Sequence, residues 1–113
     1  MSANEAIMIK TYQFLLYMLP LLAKLPRDQK FLIADRFETK VLDLLDLYLK
    51  AYYSSKDKKP SMLRDANISL EQLRYLTRLL HDMRFINHEK YGVVSGHIDE
   101  IGKMTGGWLK SLS

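Results

Sequence analysis

The chain reads as an all-α protein, an antiparallel up-down-up-down four-helix bundle, on three observations. Apolar residues recur at a helical period through four separate stretches, and no stretch alternates with a strand's period of two over a useful length. The breaks between stretches are short (Leu25-Pro26, Ser54 to Pro60 and Ile86-Asn87), and short connections make successive helices antiparallel neighbours. The 113 residues are 48% hydrophobic, enough for one core, since a chain of this size hides about two-thirds of its unfolded surface. One domain over residues 1–113 is expected, with helices at about 5–25, 27–53, 61–86 and 88–111.

The first helix carries Ile7, Met8, Tyr12, Phe14, Leu15, Met18, Leu19, Leu21, Leu22 and Leu25 around most of its circumference. It leaves Lys10, Gln13, Tyr17, Pro20 and Lys24 for water. A helix apolar on nearly all sides is buried on several of them, so contact with a second copy is expected. Pro20 removes a backbone donor and predicts a kink.

Pro26 suits a helix start, and the second helix is expected to bury Ile33, Ala34, Phe37, Val41, Leu44, Leu45, Tyr48, Leu49 and Tyr52, with Phe31 and Leu42 at the edge of that face. Glu38 interrupts that face, where an ionised carboxylate needs a cation or a seam between copies. Ser54 to Pro60 is a polar, lysine-dense loop that ends in a proline able to open the third helix. That helix is expected to bury Met62, Leu73, Leu76, Leu79, Leu80 and Met83. Its outer face presents Arg64, Asn67, Glu71, Arg74, Tyr75, Arg78 and His81.

Asn87 is a plausible cap for the fourth helix. Tyr91, Val94, Ile98, Ile101, Thr105, Trp108, Leu109 and Leu112 share one of its faces, while Asp99, Glu100, Lys103 and Lys110 lie opposite. All five glycines of the protein fall in this helix, at a cost of roughly 1 kcal/mol each against Ala. Ser95, Gly102 and Gly106 make a ridge without large side chains, beside which another helix or a nucleic-acid backbone can approach.

Composition excludes several classes. With no Cys there is no disulfide framework and no thiolate metal site, which suits a cytoplasmic protein. The longest apolar run, Phe14 to Ala23, spans ten residues and contains Pro20, well under the roughly 20 a membrane span needs, so no membrane association is expected. No secretion signal is evident. No Glu has a His three positions later, as a di-iron bundle requires, and His81, His88 and His97 lack metal-ligand spacing. Gly102-Lys103-Met104-Thr105 lacks the remainder of a phosphate loop, and Gly92-Val-Val-Ser-Gly96 is off register for a nucleophile elbow. No enzyme active site and no cofactor are expected.

The net charge of +4, from 17 basic and 13 acidic residues, is a modest sign of an anionic partner. The best candidate surface is the outer face of the third helix, where Arg64, Arg74 and Arg78 can hold phosphates and Tyr75 offers a ring for stacking. Glu71 and Asp82 on the same helix can neutralise it as ordinary ion pairs.

Three stretches carry a resemblance to a known family. They are Asp99-Glu-Ile-Gly-Lys-Met-Thr-Gly-Gly-Trp-Leu-Lys110; Pro26-Arg-Asp-Gln-Lys-Phe-Leu-Ile-Ala-Asp-Arg36; and Leu63-Arg-Asp-Ala-Asn67 with Leu73-Arg-Tyr-Leu-Thr-Arg-Leu79 and Asp82-Met-Arg-Phe85. Together they resemble the accessory variability determinant (Avd) proteins of diversity-generating retroelements. Those proteins are similar to four-helix-bundle proteins encoded in ribosomal RNA intervening sequences. The resemblance implies a homopentameric barrel that binds RNA and DNA and partners a reverse transcriptase, supporting mutagenic cDNA synthesis (mutagenic retrohoming) from a template RNA. Five copies at +4 each carry +20, a field that favours nucleic acid. It extends the candidate binding set to Arg64, Arg74, Tyr75, Arg78, Arg84 and Lys103. Phe37, Tyr48, Ser95, Gly102, Gly106 and Trp108 are the candidates for contacts between copies or close helix packing. The alternative is a binding module of the intervening-sequence type with no transcriptase partner.

Overall fold

A computed structural model describes residues 2–113. Helix α1 is Ala3–Ala23, and it starts earlier than the apolar pattern suggests because the Ser2 side chain caps it. Ser2 Oγ accepts from the Glu5 amide at 3.2 Å and donates to Glu5 Oε1 at 3.3 Å. Pro20 lies on the exposed side, and the helix continues through it.

The second helix, α2, comprises an opening turn Arg27–Gln29, a widened π turn Lys30–Ala34 and a long α segment Asp35–Tyr53. The π turn has a local cause. Stepping back from buried Phe37 at 100° per residue, a pure α-helix would direct Lys30 along the core line. One extra residue in the turn moves Lys30 to solvent and brings Ile33 and Ala34 inward. The same shift leaves Phe31 75% and Leu32 68% exposed.

Helix α3 is Lys59–Asp82, with Pro60 in its first turn, and α4 is His88–Ser111. Lys59 closes the preceding loop: its Nζ donates to the carbonyls of Ala51 (2.7 Å) and Tyr52 (3.0 Å) at the end of α2, where a cation complements the helix dipole. Asn87 caps α4, its Oδ1 accepting from the Lys90 amide at 2.8 Å.

Helix α1 packs on α2 and α4, and α3 packs on α2 and α4, so the four helices form a ring measuring 43 × 24 × 22 Å. Each contributes one stripe to a single core. Ile7, Phe14, Met18 and Leu22 come from α1; Phe37, Val41, Leu44 and Tyr48 from α2; Ile98, Ile101 and Trp108 from α4. Three threonines join them. Thr11, Thr77 and Thr105 each donate to the carbonyl four residues back, at 2.8, 2.7 and 2.8 Å. That bond satisfies the hydroxyl's donor, so the side chain can pack as a small apolar group.

The face of α3 differs from the sequence expectation. Its core stripe is Leu63, Ala66, Leu70, Leu73, Thr77 and Leu80, whereas Leu79 and Met83 are 41% and 50% exposed. Large apolar residues on the flank outweigh Ala66 and Thr77 in a hydropathy pattern and rotate the apparent stripe. Glu38 also departs from expectation: it is half-buried and makes no salt bridge among the described residues.

Candidate nucleic-acid interface

Two of the three arginines on the outer face of α3, Arg74 and Arg78, face carboxylates of α3 and α4. Arg74 is held by two acids: Nε donates to Glu71 Oε1 at 3.1 Å, and Nη1 donates to Asp99 Oδ1 across the groove on α4. The hydrogen bond to Asp99 is the largest cause raising the guanidinium pKa above its ordinary value; burial opposes it. Arg78 Nε lies 3.7 Å from Asp82 Oδ2. Arg74 is thus hydrogen-bonded to carboxylates on two of its nitrogens, whereas the Arg78 pair is exposed and longer than a hydrogen bond, a weak contact that leaves that guanidinium available.

The other predicted residues are placed differently. Tyr75 is 71% exposed and lies with Arg36, Lys40, Gln72, Leu76 and Leu79 along a shallow groove between α2 and α3. Lys103 lines a second groove with Asn67, Glu71, Arg74, Asp99 and Gly102. Arg64 and Arg84 are exposed, and among the described residues neither makes a salt bridge.

Arg84 has an unusual backbone. Helix α3 ends in a Schellman arrangement: the Phe85 amide donates to the Leu80 carbonyl and the Arg84 amide to the His81 carbonyl, both at 2.9 Å. This closure needs a left-handed residue after the cap, and Arg84 supplies it at φ 62°, the one non-glycine residue with positive φ among those described. Glycine usually fills that position; a side chain there costs roughly 1–2 kcal/mol. The same closure ends the helix at Asp82, short of the expected residue 86.

Sequence reasoning passed over the rings beside Arg84. His81, from the last turn of α3, lies 4.5 Å from the Tyr91 ring and 5.7 Å from the His88 ring, centroid to centroid. His88 and Tyr91 are three residues apart in the first turn of α4, with centroids 6.4 Å apart. The i, i+3 spacing of His88 and Tyr91 was the available signal; the approach of His81 depends on the tight turn. His97, by contrast, is half-buried against Phe14 (5.4 Å) and Tyr17 (5.1 Å). Burial, then nearby charge, moves its pKa: desolvation lowers it most, Glu100 opposes and Lys10 adds to the lowering.

The residues expected at contacts between copies or in close helix packing divide. Phe37, Tyr48 and Trp108 are 0%, 0% and 4% exposed within one chain, so they pack inside the bundle and offer no surface to a second copy. Ser95 is half-buried and Gly106 exposed. A Cβ at Gly106 would meet nothing within 4 Å, and one at Gly102 would meet Arg74 Nη2 at 3.6 Å and Leu70 Cδ1 at 3.9 Å, ordinary contact. The glycine ridge therefore does not serve close packing within the bundle. Among the described residues, no three His, Asp or Glu side chains converge on a possible metal position.

A ring of four antiparallel helices around one core, with its charged groups and rings on the outside, defines a small helical-bundle protein. The chain belongs to the bAvd-like family, which it matches over residues 6–112. It is also similar in fold to the crystal structure of a protein of unknown function from the S23 ribosomal protein family of Bacteroides thetaiotaomicron VPI-5482. The TM-score is 0.86 at 19% identity, covering 96% of this chain and 99% of that one. No curated protein matches the chain.

Proposed function

We propose that this protein is a non-catalytic accessory factor of a diversity-generating retroelement. It binds the element's reverse transcriptase and structured template RNA in the cytoplasm and supports mutagenic cDNA synthesis, while the polymerase chemistry belongs to the transcriptase. The observation that carries this reading is the bAvd-like match over residues 6–112. The net charge of +4 and Arg64 and Arg84, which make no salt bridge among the described residues, support an anionic partner.

The working form is a homo-oligomer, a pentamer by family resemblance. Its physical support is the outer face of α1, where Ile9, Tyr12, Leu16 and Leu19 are 38%, 53%, 50% and 39% exposed. Their 3-4-3 spacing forms a continuous stripe opposite the core-facing Ile7, Phe14 and Met18. By length and composition α1 also passes as a membrane span, with mean hydropathy 1.4. The full burial of Phe14, Met18 and Leu22 in the bundle favours a second protein surface over lipid.

The test is co-expression with the reverse transcriptase of a diversity-generating retroelement from the same source, followed by capture and RNA analysis. A transcriptase and its template RNA retained together are expected; a protein that retains RNA but no transcriptase would favour the second reading. That reading, a module of the intervening-sequence type, is supported by the fold likeness to the S23 family protein.

A further inference from the structure

We infer that the α3–α4 end of the bundle is a stacking site for unpaired bases of a single-stranded RNA segment, a site that rests on the RNA-binding reading above. Three features meet there. His81, His88 and Tyr91 bring their rings together, with centroids 4.5 to 6.4 Å apart. His88 is exposed, and His81 and Tyr91 are half-exposed, so the group presents an open ring surface. A cleft of about 540 Å³ runs beside it, lined by His81, Asp82, Arg84, Phe85 and His88 among others.

The charge pattern distinguishes bases from duplex backbone. Asp82 sits in the cleft, 3.8 Å from His81 Nδ1 and 3.7 Å from Arg78 Nε, and its carboxylate repels a phosphate while accepting from the N–H groups on a base edge. Arg84 lies on the turn beyond it with no carboxylate partner among the described residues. A second cleft behind the turn adds Lys24 and Lys90, with Lys90 Nζ 5.9 Å from the Tyr17 ring. A base on the rings thus has Arg84 in the same cleft and Lys24 and Lys90 in the adjoining one as cations for the flanking phosphates, the combination of rings and cations that single strands use. Duplex RNA keeps its bases stacked inside and cannot use the rings. The left-handed Arg84 agrees with this: a backbone position suited to glycine carries a long cation that the fold does not use.

The experiment measures binding of a short single-stranded RNA and of the same sequence as a duplex, across a salt series, by the full chain and two variants. Arg84→Gly keeps the turn, because glycine prefers that backbone conformation. It should weaken single-strand binding and make the slope of log affinity against log salt shallower by about 0.7, one phosphate contact. His88→Ala, at an exposed position, should weaken the single strand about fivefold or more and reduce quenching of a fluorescent purine analogue in the strand, with duplex affinity unchanged. Wild-type binding of RNA with both variants equal to it would overturn this site and leave the RNA-binding reading standing. No binding of either RNA by the wild type would remove both. Loss of transcriptase capture in the variants with unchanged RNA affinity would assign this end to protein contact and overturn the stacking site.

Discussion

The hydroxyls of Tyr48 and Thr105 meet at 2.7 Å inside the bundle, tying α2 to α4 across the core. Thr105 already donates to the Ile101 carbonyl, so Tyr48 is the donor in this bond. Both residues are 0% exposed, and burial pushes the Tyr48 phenol well above its ordinary pKa, the Thr105 bond opposing in part. Tyr48→Phe should cost about 1 kcal/mol, while Thr105→Val, which leaves the phenol buried without a partner, should cost about 1–3 kcal/mol. The double variant should be more stable than the sum of the two predicts. Urea unfolding of the four proteins measures the coupling, and strict additivity would mean that the bond contributes nothing.

Arg84→Gly should stabilise the fold by about 0.5–1 kcal/mol. Relief of the left-handed conformation is partly offset by glycine's larger unfolded-state entropy. Thermal unfolding should show a rise of a few degrees in Tm; a fall would show that the Arg84 side chain contributes to the fold.

Asn87→Ala removes the acceptor that holds the Lys90 amide at 2.8 Å, and should cost about 1 kcal/mol. Asn87→Asp keeps an acceptor in place and should retain most of the stability. Equal losses in the two variants would argue against capping as the source.

His97 makes stability depend on pH. In the unfolded chain the imidazole titrates near pH 6.5, and in the fold its pKa is lowered, chiefly by burial. Between the two values the unfolded state holds more protons, so stability rises with pH there. The contribution is fully present above about pH 6.5 and is lost as pH falls below it. His97→Phe keeps a ring against Phe14 and Tyr17 and should flatten the change in Tm over this range. A slope unchanged by the substitution would place its origin in other groups.

Leu16, half-exposed at 50% on the outer stripe of α1, is the site to test assembly. Leu16→Lys should leave helicity and Tm of the isolated bundle within about 0.5 kcal/mol of the parent, as surface changes do. It should reduce the native mass toward that of one chain. An unchanged oligomer mass would move the interface away from α1, and the exposed Leu42 and Leu49 of α2 would be the next positions to vary.

The fold was largely legible because helical periodicity reports burial directly. The α4 stripe of Val94, Ile98, Ile101, Thr105 and Trp108 follows the pattern residue by residue, and Pro26, Pro60 and Asn87 mark starts by their own backbone chemistry. The α3 stripe was less legible because Leu79 and Met83 are apolar without being core, so hydropathy and burial part company there. The candidate interface was the least legible. In sequence the helical spacing offers Glu71 as a partner for Arg74, whereas its engagement by Asp99 joins residues 25 apart on facing helices.

Periodicity and capping chemistry, which act over a few neighbouring residues, were thus enough to specify four helices, their approximate limits and their antiparallel order. The tertiary structure decided which arginines are spoken for, that Tyr48 finds Thr105, and that His81 joins His88 and Tyr91 beside the left-handed Arg84. Each of these depends on the distance and rotation between helices, and such long-range placement is set by how the whole core packs, which no local pattern encodes.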